Sequence, residues 1–123
     1  MDKPVILVAD DETPVRELVR HILETAGYAV LTAADGEQAL QVSRTFSSTI
    51  HLLLSDVLMP KLGGMALREQ ILRERPAMKV LLLSGAAEQL PEGVEFLRKP
   101  FQAEILTCHA RRLCQQASPL SKR

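Results

Sequence analysis

Short apolar runs alternate along this chain with longer segments in which apolar residues recur roughly every three to four positions. Uninterrupted runs such as Leu52-Leu53-Leu54 are typical of strands buried on both faces of a parallel sheet. Strands are predicted over residues 5–9, 28–33, 50–55, 80–83 and 94–97. Strands that alternate with helices predict an α/β fold with right-handed crossovers. The flavodoxin-like, doubly wound parallel sheet of order 2-1-3-4-5 fits five such strands.

Helix boundaries are marked by residues that favour caps and turns. Thr13 is predicted to cap the first helix, with Pro14 as its first helical residue, and Gly27 to end it in a left-handed conformation. Asp35 is predicted to cap the second helix, with Gln38 completing a capping box. The helix positions predicted to face the core are Val15, Leu18, Val19, Ile22, Leu23, Ala26, Ala39, Leu40, Ser43, Phe46, Ala66, Leu67, Ile71, Ile105, Leu106, Ala110 and Leu113.

The connection between the fourth and fifth strands departs from this regular alternation. Only residues 85–93 separate Ser84 from the last strand, whereas a crossover usually needs about 10–12 residues or more. Pro91 shortens any helix further, because proline interrupts helical hydrogen bonding. We therefore expect the fourth of five helices to be shortened or missing.

Composition argues against several classes of protein. The 123 residues carry 15 acidic and 15 basic side chains, and zero net charge argues against broad electrostatic binding to nucleic acid or to an anionic membrane. No apolar run approaches the ~20 residues that span a bilayer. A single domain is expected over residues 1–123, with a core over about 4–116 and a frayed tail over 117–123.

Both cysteines, Cys108 and Cys114, fall on the last predicted helix. At ~1.5 Å rise per residue they lie ~9 Å apart along its axis and face different ways, so they cannot form a disulfide with each other. Free thiols fit a reducing compartment, and we expect a cytoplasmic protein.

Acidic side chains follow two strands that are neighbours in the predicted sheet. Asp10 and Asp11 come directly after the first strand, and Asp56 stands at the carboxyl end of the third. These strands flank the topological switch point, where such sheets form a ligand crevice. Three close carboxylates repel one another unless a cation joins them, and Mg²⁺ suits a site with few protein oxygen ligands. Ser84 and Lys99 follow the remaining strands to the same edge, which completes a phosphoryl-transfer constellation with Asp56 as the nucleophile.

Four motifs, each after a predicted strand, resemble those of one known family. They are Asp10-Asp11, Asp56-Val57-Leu58-Met59-Pro60, Ser84-Gly85 and Lys99-Pro100-Phe101. In this order they resemble the response-regulator receiver domain, the fold of the chemotaxis protein CheY, over about residues 4–116. The short fourth connection is similar to that of receivers in hybrid sensor histidine kinases. One departure is Gly63, which stands where many receivers carry an acid.

The resemblance implies a role for each matching residue. Asp56 accepts a phosphoryl group from a histidine kinase or a histidine phosphotransfer protein, and this modification shifts conformation and partner binding. Asp11, Asp56 and the main-chain carbonyl of Leu58 bind Mg²⁺, whereas Asp10 acts on the metal through water. Lys99 contacts the phosphoryl group. The chain is thus expected to act as a signalling module whose only catalysis is that of its own phosphorylation and dephosphorylation.

The resemblance also implies how the modification is sensed. Ser84 moves toward the phosphoryl group, and Phe96 matches the aromatic switch residue that follows it. The Lys99–Pro100 peptide bond is expected to be cis. We expect the phosphodonor to dock on the surface of the first helix, whose outward residues include Arg16 and Arg20.

Other functions stay open from the sequence. A degenerate receiver would bind partners without phosphorylation, although the intact acids, hydroxyl and lysine count against it. A haloacid-dehalogenase-type phosphatase also uses an aspartate nucleophile, but it needs a second aspartate where this chain has Leu58. Phe96 also fits a plain core residue, and His51 fits a histidine satisfied within the fold. The sequence does not decide between a stand-alone receiver and a part of a longer protein.

Overall fold

The computed structural model describes residues 3–85 and 90–117, which form a five-stranded parallel sheet flanked by helices. The elements in chain order are β1 Val5–Ala9, α1 Thr13–Thr25, β2 Ala29–Ala33, α2 Gly36–Thr45, β3 Leu52–Asp56, α3 Gly64–Glu74, β4 Lys79–Ser84, β5 Phe96–Arg98 and α4 Ala103–Ala117. The strand order is β2-β1-β3-β4-β5, and all pairs are parallel. The predicted α/β fold and sheet order are therefore confirmed.

Side chains that alternate along the strands divide the core between the two faces of the sheet. On one face, Ile6 and Leu54 belong to a cluster that includes Val19 of α1 and Leu106 of α4. On the other face, a second cluster contains Leu53 together with residues of α2 and α3. β3 is buried along its whole length. Each leucine buried in this way contributes about 1.5–3 kcal/mol relative to an exposed one, which explains the run of three leucines that begins β3.

Most predicted caps are confirmed, but α1 begins one residue differently. Its N-cap is Glu12 and has no side-chain cap hydrogen bond, so the prediction of Thr13 as the cap is wrong. Gly27 adopts a φ of 105°, a left-handed conformation that favours glycine. The N-cap of α2 is Asp35, whose Oδ1 accepts a hydrogen bond of 2.8 Å from the Gln38 amide. The Gln38 side chain reaches back to the amide of Ala34, one residue before the position that a capping box uses.

Five apolar residues are more exposed than their pattern predicts. Leu18 is 56% exposed, Phe96 44% and Ile105 45%, and Ala26 and Ala66 are also exposed. Leu18 and Ile105 lie on helix flanks beside the buried stripe, where helical spacing alone does not distinguish flank from core. β5 runs over Phe96–Arg98 instead of 94–97 and is an edge strand, so the interpretation of Phe96 as plain core is wrong.

The connection between β4 and β5 contains no helix among the residues that the structure describes, which here are 85 and 90–95. The rest of the predicted shortened helix, 86–89, lies outside the described residues, as does most of the predicted tail. Cys108 is exposed and Cys114 is buried, and both are free thiols. No helix in the described ranges has the length and apolar character to cross a bilayer.

Candidate functional site

The carboxyl ends of four adjacent strands bring the predicted site residues to one edge of the sheet. Asp10 directly follows β1, and Asp56 and Ser84 are the last residues of β3 and β4. Parallel strands end at the same edge of a sheet. In the register of β3 and β4, Asp56 lies opposite Leu83, the residue before Ser84. One carboxylate oxygen from each of Asp10, Asp11 and Asp56 lies within 4.8 Å of the other two. The predicted convergence of three acids is thus present.

Lys99 enters this cluster from the loop after β5. Its Nζ lies 3.0 Å from Asp56 Oδ1 and 3.9 Å from Asp10 Oδ2, and its side chain is 21% exposed. Its amide donates a hydrogen bond of 2.8 Å to the carbonyl of Ser84, which fixes the loop to the end of β4. The Lys99–Pro100 peptide bond is cis, as expected. Ser84 is buried behind this contact, with an exposed fraction of 2%.

The acids carry more negative charge than Lys99 balances. Burial raises the pKa of Asp56, and the repulsion of Asp10 and Asp11 adds to the rise, while the Lys99 hydrogen bond opposes it. Burial also raises the pKa of Asp10, against the lowering effect of the Glu12 amide and of Lys99. Burial by itself would lower the pKa of Lys99, but the hydrogen bond and charge of Asp56 outweigh it and the pKa is raised. The cluster therefore favours any further cation.

The donor set fits a hard divalent metal ion. Asp10 is 1% exposed, and its Oδ2 has no hydrogen-bond partner among the described residues. A buried carboxylate oxygen without a partner is costly, because it has lost its hydration without replacement. Mg²⁺ prefers a few carboxylate and carbonyl oxygens and keeps several waters. The carboxylates of Asp10, Asp11 and Asp56 together fit such an ion.

The loop after Asp56 is held close to the sheet by backbone packing at the start of α3. A Cβ on Gly64 would lie 2.3 Å from the Asp56 carbonyl oxygen, so only glycine fits at the start of α3. The Gly64 amide donates to the Val57 carbonyl at 2.8 Å, and the Val57 amide to the Leu83 carbonyl at 3.0 Å. The sequence signal was the Gly63-Gly64 pair, which shows a need for close approach but not its target.

Comparisons with known proteins agree with this geometry. The family model of the response regulator receiver domain matches residues 6–111. The alkaline phosphatase synthesis transcriptional regulatory protein PhoP of Bacillus subtilis is 30% identical over 119 residues, 91% of this chain and 49% of that protein. The sensor kinase CckA of Brucella abortus is 30% identical over 118 residues, 90% of this chain and 12% of that protein. The crystal structure of the receiver domain from the hybrid histidine kinase CckA has a TM-score of 0.77 and 38% identity, covering 93% of this chain and 99% of that one.

This chain belongs to the response-regulator receiver domain family of two-component signalling systems. The predicted likeness to receivers of hybrid kinases is confirmed by the similarity to the CckA receiver. The chain spans about half the length of PhoP and a small part of the sensor kinase, so it corresponds to one module of these relatives.

Proposed function

We propose that this receiver domain accepts a phosphoryl group on Asp56 in a Mg²⁺-dependent reaction, and that the modification changes its affinity for partners. The observation that carries the proposal is the cluster itself: Asp56 lies in contact with Lys99 and within reach of Asp10 and Asp11 at the switch point of the sheet. A degenerate receiver would not need these mutually repelling acids, of which Asp10 and Asp56 are buried. The side chain of Leu58, which replaces a phosphatase's second aspartate, offers no group for acid–base catalysis.

In the proposed reaction an Asp56 carboxylate oxygen forms a bond to phosphorus, and the bond from phosphorus to the donor's leaving atom breaks. Lys99, whose Nζ lies 3.0 Å from Asp56 Oδ1, orients the carboxylate and neutralises phosphoryl oxygens. Ser84, buried at the end of β4, supplies a hydroxyl for the modified site and so links it to β4 and β5. Mg²⁺, when bound, neutralises phosphoryl charge. To end the signal, a water oxygen forms a bond to phosphorus and the bond from phosphorus to the Asp56 oxygen breaks, which releases inorganic phosphate and restores the carboxylate.

Incubation with Mg²⁺ and acetyl phosphate tests the proposal. The unmodified protein is expected to gain the mass of one phosphoryl group, and Asp56→Asn, which keeps the size but removes the nucleophile, is expected to gain none. Asp35→Asn is a matched control because Asp35 is a helix cap outside the cluster. Equal mass gain by the Asp56 and Asp35 variants would refute the assignment, and no gain by the unmodified protein would favour a degenerate receiver.

We further propose that the phosphodonor, a histidine kinase or a histidine phosphotransfer protein, docks in the groove between α1 and α4. The two arginines expected to serve this role are engaged elsewhere: Arg16 hydrogen-bonds the Asp10 carbonyl, and Arg20 pairs with Glu17 and Glu24. The groove has a volume of about 420 Å³ and is largely apolar. It is lined by His21, Ile22, Thr25, Ala26, Ala103, Glu104, Thr107 and Arg111.

Leu18 connects this groove with the active site. It lies one helical turn before Ile22, toward the acid cluster, and is 56% exposed. An exposed leucine beside an apolar groove suits the apolar stripe of a partner helix. Leu18→Glu is expected to slow transfer from a panel of purified phosphohistidine phosphotransfer proteins at least about tenfold, the effect of losing some 1.4 kcal/mol. Uptake from acetyl phosphate is expected to stay unchanged. Equal slowing with both donors would show that Leu18 acts on the chemistry and not on docking.

A further inference from the structure

The side chain of Arg16 turns back from α1 onto the loop that carries the acids. Its Nη1 donates a hydrogen bond of 2.7 Å to the main-chain carbonyl of Asp10, and its Nη2 donates one of 3.2 Å to Thr13 Oγ1. No salt bridge joins Arg16 to a carboxylate in the described part of the chain. The guanidinium therefore acts on the backbone of the loop and not by pairing with an acid.

The amide and Oδ1 of Asp10 are also held by hydrogen bonds, whereas Oδ2 has none among the described residues. Its amide donates to the Ala33 carbonyl at 3.1 Å, and its Oδ1 accepts from the Glu12 amide at 2.9 Å. Together with the Arg16 contact, these bonds hold the main chain on both sides of the Asp10 side chain. Oδ2 is the remaining polar atom, and it faces the crevice 3.9 Å from Lys99 Nζ.

This clamp lies where the helix itself provides little restraint. The N-cap of α1 is Glu12, which makes no side-chain cap, so the first turn is not tied to the loop in the usual way. Arg16 supplies the missing contact, because it lies in the first turn of α1 and its side chain donates a hydrogen bond to the carbonyl of Asp10. A hydrogen bond from a charged donor is also stronger than one between neutral groups.

From this arrangement we propose that Arg16 is a positioning residue for cation binding, which fixes the Asp10 carbonyl and thereby presents the Asp10 and Asp11 carboxylates to the crevice. The inference rests on the proposed function, because it assigns Arg16 a part in the Mg²⁺ site. A positioning role and a role in charge balance predict opposite changes in Mg²⁺ affinity when Arg16 is replaced. A cation near the site repels Mg²⁺, so loss of charge alone would tighten binding, whereas loss of positioning weakens it.

Calorimetric titration of the phosphate-free protein with MgCl₂ measures whether Mg²⁺ binding becomes weaker or tighter. Arg16→Ala is expected to weaken Mg²⁺ binding roughly tenfold, the lower end of the range for groups that orient metal ligands. Arg16→Lys keeps a donor for the Asp10 carbonyl and is expected to fall between the alanine variant and the unmodified protein. Arg20→Ala, one turn further along α1, removes a surface cation of the same type and is expected to bind Mg²⁺ as the unmodified protein does.

A metal-free measurement separates positioning from the reaction. The Glu12 amide, which donates to Asp10 Oδ1, is expected to exchange its hydrogen faster in Arg16→Ala than in Arg20→Ala. Unchanged or tighter Mg²⁺ binding by Arg16→Ala, or by Arg16→Lys if the alanine variant does not fold, would overturn the inference and leave the proposed function intact. Failure of the unmodified protein to bind Mg²⁺ would instead overturn the proposed function, and the inference with it.

Discussion

Charged side chains at the two ends of the sheet differ in how many hydrogen-bond partners the chain provides for them. At the amino ends of the strands, Arg75 follows α3 and donates four hydrogen bonds, to Ser43 Oγ and to the carbonyls of Ser43, Phe46 and Ser48, over 2.7–3.0 Å. At the carboxyl ends, Asp10 Oδ2 is buried without a hydrogen-bond partner among the described residues, beside two further acids. The first arrangement satisfies its charge within the chain, and the second leaves charge that a ligand can satisfy.

This difference separates stability from function within one domain. A buried polar group with all its partners contributes to folding, whereas an unpaired one costs free energy until its ligand arrives. The hydrogen bonds at the amino end therefore stabilise the packing of α2 and α3. The acid cluster at the carboxyl end lowers the stability of the metal-free protein but can bind a cation. Substitutions at the two ends are expected to change different measurements.

Arg75→Ala is expected to have the largest effect on stability. Several hydrogen bonds from one charged but partly exposed group are lost together. Because water can replace some of the lost partners, the free energy of unfolding should fall by about 3 kcal/mol, less than the sum of four bonds at about 1.5–3 kcal/mol each. Urea unfolding measures this change. Arg44→Ala is the matched control, because Arg44 forms a mostly exposed ion pair with Glu74 and should cost less than about 1 kcal/mol. Equal losses for the two variants would break the comparison, as would weakened Mg²⁺ binding by Arg75→Ala.

Neutralising Asp10 and Asp11 one at a time should sharpen the comparison. Asp10→Asn keeps the acceptor for the Glu12 amide and removes a buried charge, so the metal-free protein should gain about 1 kcal/mol of stability. Asp11 is exposed, so Asp11→Asn should change stability little. It should weaken Mg²⁺ binding more than Asp10→Asn does, because the family resemblance implies that Asp11 binds the ion directly and Asp10 through water. Urea unfolding without metal and titration with MgCl₂ measure the two effects. Loss of stability in Asp10→Asn would contradict the account of the unpaired oxygen.

The smallest expected effect is a pH dependence at the amino end. His51 Nδ1 accepts a hydrogen bond of 3.1 Å from the Val5 amide, and burial lowers the pKa of His51 below its usual value. Because the folded state disfavours the charged ring, this stability is present above the unfolded pKa of about 6.5 and is lost as pH falls toward the folded pKa. His51→Asn keeps an acceptor that does not titrate and should flatten the pH profile below about 6.5, by less than the ~1.4 kcal/mol per pH unit that one proton allows. A profile unaltered in His51→Asn would remove His51 from the comparison.

The interpretation of His51 as a histidine satisfied by the fold agrees with its contact to Val5, but the partner was not predictable. The residues are adjacent only because β1 and β3 pair. The exposure of Leu18 and Ile105, which were predicted to face the core, also depends on neighbours that the sequence does not show. Helical spacing indicates which flank of a helix is apolar, but the neighbouring elements decide how much of that flank is covered.

The sequence by itself determined the fold class, the sheet order and the meeting of Asp10, Asp11, Asp56, Ser84 and Lys99. It did so because uniformly apolar runs allow only buried parallel strands, and parallel strands bring all their carboxyl ends to one edge. Tertiary structure alone decided where the long arginine side chains end. Arg16 and Arg75 look like ordinary surface cations in a helical pattern, yet one holds the Asp10 loop and the other the end of α2. A flexible side chain with several donors can reach many acceptors, and only the packed chain determines which of them lie within hydrogen-bonding distance.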